Sequence, residues 1–307
     1  SKSKVRIDNS SAFLPSYLFT SLSFLCALCG ESFRRKLLLP RPIPPGVCRL
    51  AKIISTHSFR GGTGKSNTTA NIAVLVAKAG HRVGVIDTDI QSPGIHVLFQ
   101  LPESRLKLAL NDYLWGNCEV EEAAYDVSES SIGSYDENKD RPRIFLIPSS
   151  VKTGEISRVL RDGYDVGRLN DGFQRLVQEL KLDYLFIDTH PGVNEETLLS
   201  IAISDMLLLV MRPDSQDFQG TSVTAELARR LEIPDMQIVV NKVPPGMDTT
   251  LLRQRVEELY QAPVAALLPM NFEIVRVASG GIFVNRFPEH PMTLALKQVA
   301  ERVMGRA

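Results

Sequence analysis

Seven short apolar runs, separated by stretches of helical periodicity, constrain the fold of this chain more than any other feature. They are KIISTHSF from Lys52, HRVGVIDTD from His81, RIFLIP (143–148), DYLFID (183–188), MLLLVM (206–211), MQIVVN (236–241) and VAALLP (264–269). A strand with one wet face alternates apolar and polar residues. These runs are apolar almost throughout, which requires burial on both faces. Between them lie helical patterns such as KSNTTANIAVLVAK, closed by Gly80 as a C-terminal cap, VGRLNDGFQRLVQELK and TTLLRQRVEELYQ. The expected fold is α/β: a doubly wound, mostly parallel sheet with helices on both faces. It forms one domain, residues 50–307. SESSIGSYDENKDRPR (128–143) reads as a polar, mobile loop, and no internal repeat is present.

Residues 1–49 read as an N-terminal extension of different character. They hold eight Lys and Arg against two Asp and Glu, while the remainder holds 27 against 33. Ser11 to Gly30 is uncharged, and Arg34-Arg35-Lys36 follows. A membrane anchor and a transit peptide each account for part of this, whereas a secretory signal does not suit a body that looks cytosolic. The favoured expectation is a segment, disordered or absent from the mature protein, that does no work. Leu50 would then be a start read from a non-AUG codon. Cys26 and Cys29 have redox-motif spacing but no strand–helix context, and are read as incidental. The body carries one cysteine, Cys118, so no disulfide framework is implied and a reducing, cytoplasmic setting is expected. Its acidic balance is a poor electrostatic footprint for nucleic acid.

In open α/β sheets, ligands bind beyond the carboxyl ends of the strands. Four such places carry suitable residues: the loop after Phe59, Asp87 to Asp89, Asp188 to Gly192, and Asn241. The first reads HSFRGGTGKSNTT, His57 to Thr69. A standard phosphate loop has Gly, four residues, Gly-Lys, then Ser or Thr. Gly64, Lys65 and Ser66 fit, but Phe59 occupies the place of the first Gly. Gly61, Gly62 and Gly64 allow the backbone, Thr63 included, to turn its N–H groups toward phosphate oxygens. An amphipathic helix starting near Lys65 adds its positive end. Lys65 suits the β- and γ-phosphates, and the Ser66 hydroxyl suits Mg²⁺.

RGGTGKS resembles the deviant Walker A loop, Lys-Gly-Gly-x-x-Lys-Ser/Thr, of the MinD/ParA class of P-loop ATPases, in its MinD-like branch. The resemblance spans about Ala51 to Val303. VIDTDIQSPG is similar to that class's switch I, YLFIDTHPGVNEET to its Walker B strand and switch II, and VVNKV to its adenine-side strand end. It also explains Phe59, since this class does not use the first Gly. The resemblance implies ATP and Mg²⁺ as cofactors and a slow, partner-stimulated ATPase that switches a homodimer. Ser66 ligates the metal; Asp188 and Asp89 act on it through water, and Asp89 helps orient the attacking water. Asp87 fixes its loop. His190 is switch scaffold. Gly192 lets switch II approach the γ-phosphate, Asn67 gives a contact to the α-phosphate, and Asn241 reads adenine. The loop around Pro269 to Phe272 closes over the base. A guanine site would want Asn-Lys-x-Asp; Asn241-Lys242-Val243-Pro244 lacks the Asp, which favours ATP.

Arg60 stands where the class has its signature Lys, which reaches the partner's phosphates across a face-to-face dimer. Arg can do the same and fork across two oxygens; the other reading is an Arg paired with a nearby carboxylate. The class serves intracellular positioning or partitioning of a cargo, with an activating protein partner. A DNA surface finds little support in the charge pattern, because Arg229, Arg230, Arg253 and Arg255 are interleaved with acids. A peripheral membrane surface finds little in the C-terminus, where Leu294, Leu296, Val299, Ala300 and Val303 make the stripe of a core helix. The alternatives are an ATPase maturing metal or iron–sulfur sites, which a lone Cys118 suits poorly, and an ATP-binding regulatory module with little hydrolysis. A tyrosine kinase on the same loop would need a C-terminal tyrosine cluster, which this sequence lacks.

Overall fold

The structure is a computed structural model, and it describes residues 51–133, 142–277 and 280–306. These belong to one compact unit, Cys48–Ala307. The expectations for residues 1–49, including the boundary at Leu50 and the Cys26–Cys29 pair, lie outside the described residues.

All seven apolar runs are strands: β1 (Lys52–His57), β2 (Arg82–Asp87), β4 (Arg143–Ile147), β5 (Tyr184–Asp188), β6 (Met206–Met211), β7 (Met236–Val243) and β8 (Val264–Pro269). An eighth strand, β3 (Tyr125–Asp126), is too short to leave a sequence pattern. The sheet order is β3-β4-β2-β5-β1-β6-β7-β8, parallel throughout except for the antiparallel β3. The doubly wound expectation therefore holds. β6 shows why the runs are continuous. Leu208 and Val210 join the core on one face with Ile54, Val85 and Phe186, while Leu207, Leu209 and Met211 join the core on the other with Ile238 and Val240. Each such side chain contributes roughly 1.5–3 kcal/mol by leaving water.

The long helices are α1 (Lys65–Lys78), α2 (Thr153–Asp162), α3 (Val166–Glu179), α4 (Glu195–Ala202), α5 (Ser215–Arg230), α6 (Thr249–Tyr260) and α7 (Pro291–Val303). The helix at Lys65 is not amphipathic as expected. It is buried around most of its circumference, from Thr68 to Val74 and again at Val76 and Ala77, because α7 packs across its outer side. The C-terminal stripe is corrected at one place. Met292, Leu296, Val299, Ala300 and Val303 are buried, but Leu294 is 46% exposed. It sits two residues from Leu296, about 200° around the helix. The expected loop at 128–143 begins instead with a helical turn, Ser128–Ile132, whose Ser128 and Ser131 are buried. Residues 134–141 lie outside the described residues. Among the described residues no helix is long and apolar enough to cross a membrane.

Candidate functional site

β1 is central, and the chain leaves its carboxyl end through Phe59 and Arg60 into the Gly-rich loop before entering α1. Gly62 has φ +75 and Gly64 φ +94, conformations that side chains rarely adopt. A Cβ on Gly61 or Gly62 would meet nothing within 4 Å, so the loop is open in front. Gly64 caps α1 without a side-chain bond, leaving the first-turn N–H groups without a side-chain acceptor. Ser66 and Asn67 follow in that first turn.

Two neighbouring strands bring the carboxylates. Asp188 ends β5 and Asp87 ends β2, paired in register. Lys65 Nζ lies 2.8 Å from Asp188 Oδ1, with both side chains buried. Thr69 Oγ1 donates to the same oxygen at 3.2 Å, whereas Asp188 Oδ2 is buried without a partner. Asp87 accepts from the N–H groups of Asp89 (3.0 Å) and Gly94 (3.3 Å), which ties down the loop after β2. Its carboxyl is pushed up to about 8, first by burial and then by the charge of Asp188. Asp89 accepts from Ser92 N–H at 3.1 Å and from His190 Nδ1 at 2.7 Å. His190 thus joins the loop after β5 to the loop after β2.

Other predicted residues stand as follows. Gly192, at φ +90, spends its N–H on the Ser58 carbonyl at 3.2 Å. Thr63 is buried, with its hydroxyl unpartnered. Asn241 is 6% exposed, and its Nδ2 donates to the Thr63 carbonyl at 2.8 Å. Arg60 places one guanidinium nitrogen 3.7 Å from Asp214 and 3.5 Å from Asp217. Arg212 already grips Asp217 through both oxygens, so Arg60 is a second cation on that carboxylate. The carboxylate-paired reading of Arg60 is the one this structure displays.

Three contacts escaped the sequence. Phe59 lays its ring on Gly220 of α5, where a Cβ would come within 2.0 Å of the ring. Lys242 Nζ donates to the Gly62 carbonyl. His57 is fully buried, with Nδ1 2.7 Å from Thr189 Oγ1, and the Thr189 hydroxyl donates to the Thr56 carbonyl. A buried imidazole on a strand end had no local signal.

Burial pushes the His57 imidazole down to about 3, helped by the nearby Lys65 and His190 charges. The unfolded chain takes up that proton near pH 6.5. His57 therefore favours folding above pH 6.5, and its contribution is lost as pH falls toward 3. The slope is at most about 1.4 kcal/mol per pH unit. We expect His57→Gln to flatten the acid loss of stability by up to that slope, read from urea midpoints at pH 7, 6 and 5. Parallel curves for the two proteins would refute it.

The family model for ParA, described as NUBPL iron-transfer P-loop NTPase, matches residues 49–304. The chain belongs to the ParA family of P-loop NTPases. An ATP-binding protein of Methanocaldococcus jannaschii is 26% identical over 84% of this chain and 90% of its own length. The iron–sulfur cluster carrier protein of Haemophilus influenzae is 26% identical over 84% of this chain and 67% of its own. In fold, the septum site-determining protein MinD of Pyrococcus horikoshii, complexed with Mg-ADP, superposes with a TM-score of 0.66 at 20% identity, covering 82% of this chain and 96% of that one. This ParA-family chain accordingly has the MinD/ParA fold, with ATP and Mg²⁺ as the cofactors of its class. Its residues fit them. A buried carboxylate oxygen without a partner, a carboxyl pressed toward neutrality and an open glycine loop are features that a cation and phosphates would satisfy.

Proposed function

We propose that this ParA-family ATPase is a Mg²⁺-dependent dimerisation switch of the MinD/ParA type, used for intracellular positioning or partitioning of a cargo. The observation that carries this reading is the Lys65–Asp188 pair beneath the open glycine loop, with Asp188 Oδ2 free. Ser66 would hold Mg²⁺ directly, and Asp188 and Asp89 through water. The bound metal neutralises charge on the transferring phosphoryl group, so the protein's share is positioning. Lys65 Nζ spends one donor on Asp188 and keeps two for phosphate oxygens. The backbone from Gly61 to Gly64 cradles the phosphates, with Asn67 at the α-phosphate, Asn241 at the adenine and Gly192 beside the γ-phosphate. Asp89, held by His190, orients the attacking water. The protein works in the cytoplasm, as a homodimer when ATP is bound, against a protein, membrane or nucleoid surface.

Arg60 supplies the charge across the dimer. Support comes from its exposure and from Asp217 being neutralised by Arg212 without it, which leaves Arg60 free to exchange partners. Arg60→Ala is expected to lower partner-stimulated hydrolysis by ~10³-fold or more, the scale of a cation supplied in trans. Normal hydrolysis and normal dimerisation in that variant would refute the role. Hydrolysis measured with DNA, with liposomes and with neither tests the biological half. DNA stimulation marks a partition role, lipid stimulation a MinD-type role, and stimulation by neither a protein activator. A chain that neither binds nor hydrolyses ATP would overturn the whole reading.

A second reading, iron–sulfur maturation, draws on the family description and on the Haemophilus carrier. Cysteine chemistry weighs against it. The body has one cysteine, Cys118, and burial with Asp112, Glu122 and Glu119 pushes its thiol up to about 11, away from the thiolate that binds iron. Among the described residues no group of three or more His, Cys, Asp or Glu is arranged to hold a metal, whereas a Mg²⁺ site uses hydroxyl, water and phosphate oxygens.

A further inference from the structure

Asn241 and Lys242 lie near the carboxyl end of β7, and both side chains turn onto the phosphate loop. Asn241 Nδ2 donates to the Thr63 carbonyl at 2.8 Å, and Lys242 Nζ donates to the Gly62 carbonyl at 2.7 Å. Two consecutive loop carbonyls are thus held by one strand end. The two holders are also joined, since Lys242 N–H donates to Asn241 Oδ1 at 2.8 Å. Lys242 has φ 57, the left-handed region disfavoured for any residue with a Cβ. The ladder to β8 is irregular between Val240 and Val243, which re-aims the Lys242 side chain.

The consequence follows from peptide geometry. In a planar trans unit, the carbonyl of one residue and the N–H of the next point in opposite directions. Holding the Gly62 carbonyl toward β7 turns the Thr63 N–H away from β7. Holding the Thr63 carbonyl does the same to the Gly64 N–H. These are donors of the phosphate loop. Gly64 also has no room to move toward β7, because a Cβ there would lie 2.3 Å from Asn241 Nδ2. Asn241 still keeps one N–H and one lone pair for a base edge. One side chain therefore touches both the loop and the place where adenine is read.

We propose that Lys242 is a positioning residue of the nucleotide site. With Asn241 it clamps the phosphate loop from the base side and presets the Thr63 and Gly64 N–H groups for phosphate. The proposal rests on the ATP site proposed above. Lys242→Met keeps the stem and removes the donor, Lys242→Arg keeps a donor, and Lys242→Gly removes the donor while relieving the backbone. Affinity for Mg-ADP is measured by calorimetry and KM for ATP by phosphate release, with the melting temperature of nucleotide-free protein alongside. Lys242→Met and Lys242→Gly are expected to bind Mg-ADP about tenfold more weakly and to raise KM, the scale of one lost charged hydrogen bond. Because the lost hydrogen bond is exposed, their nucleotide-free melting temperatures should stay within a few degrees of the unsubstituted chain's, and Lys242→Arg should stay within about threefold of it in affinity. Full affinity in Lys242→Met or Lys242→Gly, or an equal loss in Lys242→Arg, overturns the clamp. An unsubstituted chain that binds no Mg-ADP overturns the ATP reading itself, and the two failures are distinct.

Discussion

Lys65→Met is expected to abolish ATP hydrolysis and, unusually for a catalytic substitution, to destabilise the fold. Lys65 is 6% exposed and Asp188 1%. Removing the cation strands a buried carboxylate whose one remaining side-chain neighbour, the Thr69 hydroxyl, divides a single proton between it and the Lys65 carbonyl. Breaking a buried pair this way costs about 3–5 kcal/mol, far more than the net worth of an intact pair, because the leftover charge has no solvent. Loss of a cation that in the proposed site faces the transferring phosphoryl oxygens would lower kcat by ~10²–10³-fold or more. The two effects separate in the double variant. Lys65→Met with Asp188→Asn removes both charges, so most of the stability should return while hydrolysis stays at background. Urea unfolding and phosphate release on the three proteins decide it. An unfolding midpoint unchanged in Lys65→Met would show that the pair does not form without nucleotide.

Gly220→Ala is expected to damage the nucleotide site from a helix that contributes no predicted ligand. The added Cβ would lie 2.0, 2.4 and 2.8 Å from three ring atoms of Phe59. A ring is not the far end of a flexible chain, so either Phe59 or α5 must shift. Overpacking of this kind costs about 1–3 kcal/mol. Phe59 immediately precedes Arg60 and Gly61, so its displacement moves the loop proposed to bind phosphate. We expect Mg-ADP affinity to fall about tenfold, alongside a lower melting temperature. Phe59→Ala in the Gly220→Ala background should recover affinity, giving a coupling of about 0.5–3 kcal/mol in a double-mutant cycle. A Gly220→Ala protein that melts and binds normally would show that the socket has slack. The socket also gives a physical account of Phe59 itself. The Phe59 ring takes the space that a side chain at position 220 would otherwise fill.

The seven apolar strands, the parallel sheet and the strand–loop–helix at Lys65 were legible in the sequence. Each is written in residues within a turn or two of one another: apolar run, glycine spacing, helical period. Asp188, Asp87 and Asp89 could be placed at strand ends for the same reason. Local pattern failed where the partner was distant. α1 was misjudged as amphipathic because α7, which covers it, lies more than two hundred residues later. Leu294 was misplaced because apolar character alone does not say which side of a helix is covered.

Sequence alone therefore determined the class of loop, the order of its motifs and the fold that carries them. Tertiary structure alone decided how the loop is held. Asn241 reaches Thr63 across 178 residues and Lys242 reaches Gly62 across 180. Those contacts exist only because the sheet order sets β6 beside β1 and β7 beside β6, bringing one strand end and one helix against the same loop. A residue's neighbours in the chain set its local conformation. The groups that share its solvent-free space are chosen by topology, and here they hold the Gly62 and Thr63 carbonyls and pair Arg60 with Asp214 and Asp217.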